Sequence, residues 1–173
     1  ELHGNQATLL ENVNANSQQH TAISSNTNLG ISGSHITSKG ILSAQGEQDT
    51  SLKDSQLQGG ALLVAAKKGN LELGNNLTLA TKATDLLGND PKLAAINGSM
   101  TVKGNNDLVY DAGKTINADG DLDLRTTGKI SFKGTPGNQG NGSETNVNVT
   151  AKGSIGMTGS SVEMLGTHVT STD

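Results

Sequence analysis

Apolar residues in this chain alternate with polar ones for three to five positions at a time and then stop. The pairs Leu71/Leu73, Leu77/Leu79, Met100/Val102, Leu108/Tyr110, Leu122/Leu124, Ile130/Phe132, Val147/Val149, Ile155/Met157 and Val162/Met164 all follow that rule. A period of two marks half-buried strands, and the runs are too short for helices. Between them stand "KG", "GN", "DG" and "GNN", residues that turn corners because Gly and Asn tolerate positive φ.

The pattern copies itself. With a shift of 22 residues, Met100, Val102, Leu108 and Tyr110 fall on Leu122, Leu124, Ile130 and Phe132, and Gly98 falls on Gly120. "SHITSKGILSAQ" (34–45) and "SQLQGGALLVAA" (55–66) align at an offset of 20 to 21. Short strands with tight corners every six to eight residues describe a three-faced coil of about 20 residues. Coils stacked about 4.8 Å apart bury one another's inward aliphatics.

The fold class predicted is all-β, a right-handed parallel β-helix (β-solenoid) of about eight coils and on the order of 40 Å long. It forms a single unit over residues 1–173. In "GDLDLRTTGKISFKG" (120–134), Leu122–Leu124 and Ile130–Phe132 are then two faces of one coil, and Phe132 stacks over Tyr110. An antiparallel up-and-down sheet is the alternative, but hairpin signals do not recur beyond weak cases at Asn97-Gly98 and Asn141-Gly142.

Composition narrows the core. The 173 residues include 23 Gly, no Cys, no Trp, one Phe and one Tyr, with 32% hydrophobic residues and a net charge of −4. A wide globular core normally draws on aromatic side chains, so this core is narrow and aliphatic. The low charge argues against a disordered chain. Absence of Cys removes disulfides and thiol chemistry. No run of about 18 apolar residues predicts a membrane span, and scattered Lys leave no nucleic-acid footprint. The start at Glu1, without a basic-then-apolar segment, suggests an excised piece or a matured product.

Three stretches depart from the beat. In "KATDLLGNDPKLAAIN" (82–97), Asp90-Pro91 reads as the N-cap and first position of a short helix over Lys92–Ala95. "GTPGNQGNGSETN" (134–146) has no apolar anchor and reads as an extruded loop. The first 30 residues are less regular, and "NANSQQHTAISSNTN" is a polar tract expected to fray.

Residues 26–80, "NTNLGISGSHITSKGILSAQGEQDTSLKDSQLQGGALLVAAKKGNLELGNNLTLA", resemble the haemagglutinin repeats of filamentous-haemagglutinin-type exoproteins. The matching positions are Ser34, Ile36, Gly40, Asp49, Thr50, Leu52, Ser55, Leu57 and Gly60. Residues 98–134 match more loosely and 135–173 only in rhythm. The resemblance implies a right-handed β-helical segment of a very large protein that Gram-negative bacteria export by two-partner secretion. Such proteins are secreted or held at the cell surface and need an outer-membrane secretion partner. They serve as adhesins or as sticks that deliver a toxin in contact-dependent growth inhibition.

Catalytic and ligand motifs are thin. Asp119, Asp121 and Asp123 alternate, and on one outward face they would lie about 6 to 7 Å apart, near the spacing of inverting glycosidases. A solvated charged face explains them more simply. The same trio copies the start of an EF-hand loop, but Leu124 and Ile130 stand where Gly and Glu are required. "DAGKT" (111–115) has Leu108 where a phosphate-binding loop needs Gly. "GNQGNG" (137–142) reverses the dinucleotide spacing. His3, His20, His35 and His168 have no metal spacing, and the sequons at Asn76, Asn97, Asn141 and Asn148 are solenoid corners. Neither cofactor nor metal nor catalysis is expected.

The function expected is that of a non-catalytic rod segment of a secreted surface adhesin whose partner is a host or target-cell surface receptor. The alternatives are the receptor-binding segment of a contact-dependent inhibition protein and a carbohydrate-active β-helix enzyme or phage tailspike. The scarcity of aromatics speaks against the last. Solenoids place function in the segments that break the repeat. The contact residues expected are therefore Asp85, Asn89 and Lys92 in the first interruption, and Asn138, Gln139, Asn141 and Glu144 in the second.

Overall fold

A computed structural model describes residues 1–111, 113–134 and 147–172. It is a parallel β-solenoid of seven coils, each supplying one strand to each of three faces. The first coil comprises β1 (Leu2–Gly4), β2 (Thr8–Glu11) and β3 (Asn14–Ser17), and the second β4 (Thr21–Ser25), β5 (Leu29–Ser32) and β6 (His35–Ser38). The third holds β7 (Ile41–Gly46), β8 (Thr50–Lys53) and β9 (Gln56–Gly59), and the fourth β10 (Ala61–Ala66), β11 (Leu71–Leu73) and β12 (Thr78–Thr81). After α1 (Asp85–Gly88) and a 3-10 turn at Ala94–Ile96, the fifth runs β13 (Met100–Lys103), β14 (Leu108–Asp111) and β15 (Thr115–Ala118). The sixth is β16 (Leu122–Arg125), β17 (Lys129–Lys133) and β18 (Val147–Ala151), and the seventh β19 (Ile155–Thr158), β20 (Ser161–Leu165) and β21 (Thr167–Ser171).

Seven coils replace the eight expected, because the two interruptions take the residues of the eighth. The register jumps by 38 residues across the first, from Leu62 to Met100, and by 33 across the second, from Thr115 to Asn148. Elsewhere the 22-residue echo is a true stacking register. Met100 pairs with Leu122, Val102 with Leu124 and Leu108 with Ile130, all in parallel. Phe132 lies on Tyr110 with ring centroids 5.0 Å apart and planes 15° from parallel. The 21-to-20 change of offset also holds, with Ile36 on Leu57 and Leu42 on Leu62.

The polar tract of residues 14–28 does not fray but is as regular as the rest. It forms β3 and β4, which pair with β6 and with β1 and β7. Apolar content is not what orders it. It is held by the backbone ladder and by the inward Ile23, with 4% of its surface exposed.

Inward side chains from all three faces form one continuous core, from Ile23 to Ala151. The corners are built from repeated side-chain ladders. Before the second face, Asn28 Oδ1 accepts from Asp49 N (3.2 Å), Asp49 Oδ1 from Asn70 N (2.7 Å) and Asp107 Oδ1 from Lys129 N (2.7 Å). Before the third face, Ser34 Oγ accepts from Val13 N (3.1 Å) and Ser55 Oγ from Ser34 N (3.1 Å). Between those serines and the second face the chain turns through a left-handed residue in coil after coil: Asn12, Gly33, Asp54, Asn76 and Gly113, all with φ between 47° and 84°. Gly, Asn and Asp are the residues for which that region costs least. Asp49, Thr50 and Ser55 of the repeat motif are thus corner-holding groups. Thr50 is fully buried and its Oγ1 donates to Ala65 O at 2.7 Å.

Candidate functional site

The first interruption, residues 82–97, packs on the outside of the rod. Its helical turn lies earlier than the sequence suggests. Residues 85–88 form α1 with Thr84 as N-cap, while Asp90 to Leu93 make a turn that leads into the 3-10 segment. Asp90 still caps locally, accepting from Lys92 N at 2.8 Å. Leu87 decides the difference. It is the segment's fully buried side chain, and its position fixes which residues coil up against the corner.

That corner is shaped for it. A Cβ on Gly60 would sit 2.4 Å from Lys39 O and 3.0 Å from Leu87 Cδ1, so only glycine leaves room. Three hydrogen bonds tie the segment and its exit to the rod, and a fourth, from Thr84 N to Asn97 Oδ1, joins the segment's own two ends. Thr84 Oγ1 donates to Lys39 O (2.9 Å), Thr84 N to Asn97 Oδ1 (2.9 Å), Ala83 N to Asp119 Oδ2 (2.8 Å) and Gly98 N to Gly60 O (2.7 Å). Asp119 also pairs with Lys152, and those two contacts, the ammonium first, hold its carboxyl below the usual carboxylate range.

A groove of about 670 Å³ opens between this segment and the third face. Its floor is a stripe of outward polar side chains in register, Asn16, Thr37 and Gln58, and its flanks carry Lys39, Lys82 and Asp85. Of the contact residues expected from sequence, Asp85 lines the groove. Asn89 and Lys92 are exposed on the outer side of the segment and do not line it. Asn138, Gln139, Asn141 and Glu144 lie outside the described residues.

A second cleft, of about 910 Å³, was not legible in the sequence. On the second face the ladder stops between β11 and β14, so that face is a four-stranded sheet followed by a three-stranded one. Side chains serve as substitute donors there. Asn105 Nδ2 donates to Lys67 O (2.5 Å) and Lys114 Nζ to Val109 O (3.1 Å), with Asp111 Oδ2 3.3 Å from the same ammonium. Lys114 is 2% exposed, and desolvation draws its pKa down against the opposing pull of Asp111. One signal existed. Thr115 pairs with Thr78, so one residue earlier Lys114 stands at the inward position that Leu77 and Ser55 occupy in preceding coils.

The aspartate trio does not form a catalytic pair. Asp119 anchors Ala83, Asp121 Oδ1 accepts from Ser154 N at 2.8 Å, and Asp123 binds Arg125 at 2.6 Å. Each is committed to a different structural contact. The histidines are dispersed, with His20 Nδ1 accepting from Ile41 N (3.0 Å) and His3 Nδ1 2.7 Å from Ser24 Oγ. Among the described residues no three His, Cys, Asp or Glu side chains gather as a metal site, and no helix is long and apolar enough to cross a membrane.

Fold and groove together define the class: among the described residues, a parallel β-solenoid carrying an anchored, groove-forming insertion. Compared with protein-family models, curated proteins and solved structures, the chain matches none.

Proposed function

We propose that this chain is a non-catalytic, rod-like segment of a large bacterial surface adhesin of the filamentous-haemagglutinin type, exported through an outer-membrane partner. It contacts a receptor on a host or target cell through the 82–97 groove. The observation that carries this reading is the anchoring of the insertion. A segment that interrupts the sequence repeat is held to the rod by Leu87 and three hydrogen bonds and closed by a fourth between its own ends, so a fixed recognition surface stands out from the rod. The groove offers amide and hydroxyl groups flanked by two lysines and one carboxylate, which suits a polar protein or glycan surface.

The test is binding of the purified chain to intact target cells, with pull-down of their surface proteins. Deleting residues 83–95 abolishes binding on this reading, while deleting 135–145 tests the second interruption separately. Unchanged binding after both deletions overturns the proposal.

A further inference from the structure

We propose that the divided second face and the 82–97 segment opposite it form one joint, at which the rod bends as the cleft between β11 and β14 widens and narrows. The joint is independent of what the groove binds. It follows first from the order of the faces. In each coil the chain runs through the first, second and third faces in turn, so the corner from the third face back to the first lies across the core from the second face. The inserted segment leaves the fourth coil and enters the fifth at that corner. The cleft parts the same two coils on the far side.

The two sides of this junction are bonded unequally. Around the insertion's corner Leu62 N donates to Ser99 O (3.0 Å), Gly98 N to Gly60 O (2.7 Å), Thr115 N to Leu77 O (3.0 Å) and Asp119 N to Thr81 Oγ1 (3.0 Å). On the second face the forward bond repeats and then stops: Leu29 N donates to Asp49 O and Thr50 N to Asn70 O, each at 2.9 Å, whereas Leu71 N makes no such bond to Asp107 O. On the opposite edge Val109 O is met by Lys114 Nζ, whose other partner is Asp111. All three residues belong to the fifth coil, so this edge keeps its partner when the fourth coil moves away. Among the described residues, the side-chain hydrogen bonds that cross the junction on the cleft side come from Asn105 Nδ2, to Lys67 O at 2.5 Å and to Ala66 O at 3.4 Å.

Parting two coils elsewhere on the rod breaks backbone bonds on all three faces, whereas here one face has no ladder to lose. Motion concentrates where the fewest bonds oppose it. The bonded corner supplies the pivot, and residues at the ends of elements there, such as Gly98 with φ 81°, absorb the change in backbone angle. The buried Tyr110 hydroxyl on β14 has no hydrogen-bond partner, a further polar group that this one arrangement leaves unmet. Pivot and groove share residues, since Lys82 to Leu86 line the groove. A pull on the rod, or anything seated in the cleft, therefore changes the shape of the groove as well.

Distances between paired spin labels, measured by double electron–electron resonance, test the bend. Lys53→Cys with Lys133→Cys puts labels on the second face of the third and sixth coils, astride the cleft, and Gln56→Cys with Asn148→Cys puts them on the unbroken third face of the same two coils. All four positions are exposed and the chain has no other Cys. The second-face distribution should be at least about twice as wide as the third-face one. Asn105→Ala, which removes the crossing bonds, should widen the second-face distribution further and leave the third-face one unchanged. Equal, narrow distributions overturn the joint.

The link to the insertion has its own test. Glu72→Cys with Val109→Cys, mid-strand residues that line the cleft from its two edges, closes it with a disulfide on oxidation. Amide exchange of residues 84–97 should be about ten-fold slower in the oxidised form than in the same protein reduced. Identical exchange in the two forms overturns the pivot, and a disulfide that fails to form under oxidising conditions overturns the closing motion.

Discussion

The first and third faces of this solenoid carry seven-stranded ladders without a gap, while the second is divided into four strands and three. The insertion and the break occur in the same part of the rod, yet they are solved differently. At the insertion the backbone ladder resumes directly, with Leu62 on Met100 and Thr78 on Thr115, and the extra chain is pushed outside. At β11 and β14 the strands face each other without a ladder, and side chains of Asn105 and Lys114 stand in for the missing N–H groups. A solenoid tolerates extra residues at a corner better than a mismatch along a face, because a corner faces water on one side and a face must satisfy both rows of backbone groups.

The largest effects should come from the core shared by all faces. Leu124→Ala on a continuous face should cost about 3 kcal/mol and Phe132→Ala, beyond the break, about 4 kcal/mol, from the lost transfer energy and the cavity each leaves. Urea denaturation measures both. If Phe132→Ala costs less than about 1 kcal/mol, the stack on the divided face is not part of the cooperative core.

An intermediate effect is expected where the insertion meets the rod. Gly60→Ala drives a Cβ toward Lys39 O and Leu87, so stability should fall by about 2 kcal/mol through overpacking, and amide protection of residues 84–97 should fall with it. Loss of stability with the insertion's protection unchanged would mean that Leu87 does not hold the segment.

At the break, Lys114→Met should change stability by no more than about 1 kcal/mol near neutral pH, since the removed desolvation cost offsets the lost hydrogen bond to Val109. Its pH dependence carries the sharper information. Desolvation lowers the folded pKa of Lys114 below its ordinary value of 10.5, so the unfolded chain holds the proton more tightly in the window between the two. Stability in the native chain should therefore rise as pH climbs toward 10.5, and that rise should vanish in the Met variant. A profile identical in both proteins would show that the ammonium is not desolvated.

The smallest effect belongs to Asp119. Its folded pKa is depressed by Lys152 and by Ala83 N–H, so its contribution is present above the ordinary value of 3.8 and is lost as pH falls through the folded pKa. Partial exposure holds that contribution to a few tenths of a kcal/mol. Asp119→Asn should flatten the acid limb of insertion protection in hydrogen exchange, leaving global stability almost unchanged.

Much of this organisation is legible in the residues. Alternation at Leu122/Leu124 and Ile130/Phe132 is local, and the 22-residue echo carries it to the coil below, so the stacking of Phe132 on Tyr110 follows from sequence. The interruption at 82–97 is visible as a lapse in rhythm, and Asp85 within it lines the groove. Its internal form is not. Asp90-Pro91 is a sound local helix start, but Leu87 fits against Gly60 and pulls the helical turn to Asp85–Gly88, a contact between residues far apart in the chain. The polar tract near the start misleads for a related reason: low apolar content suggests fraying, whereas neighbouring coils supply the order through backbone pairing.

By itself, the sequence determines the strands and corners of the rhythmic blocks and the coil-to-coil register within them, because each rests on a period-two pattern or on the tolerance of Gly, Asn and Asp for left-handed backbone. Only the tertiary structure decides that there are seven coils, that the second face is divided, that Lys114 is buried beneath the break and that the aspartate trio is spent on three separate contacts. Those outcomes depend on whether backbone and polar groups of successive coils meet in space. The alternation of side chains records which way a residue faces, and it is silent on whether the carbonyl beside it finds a partner.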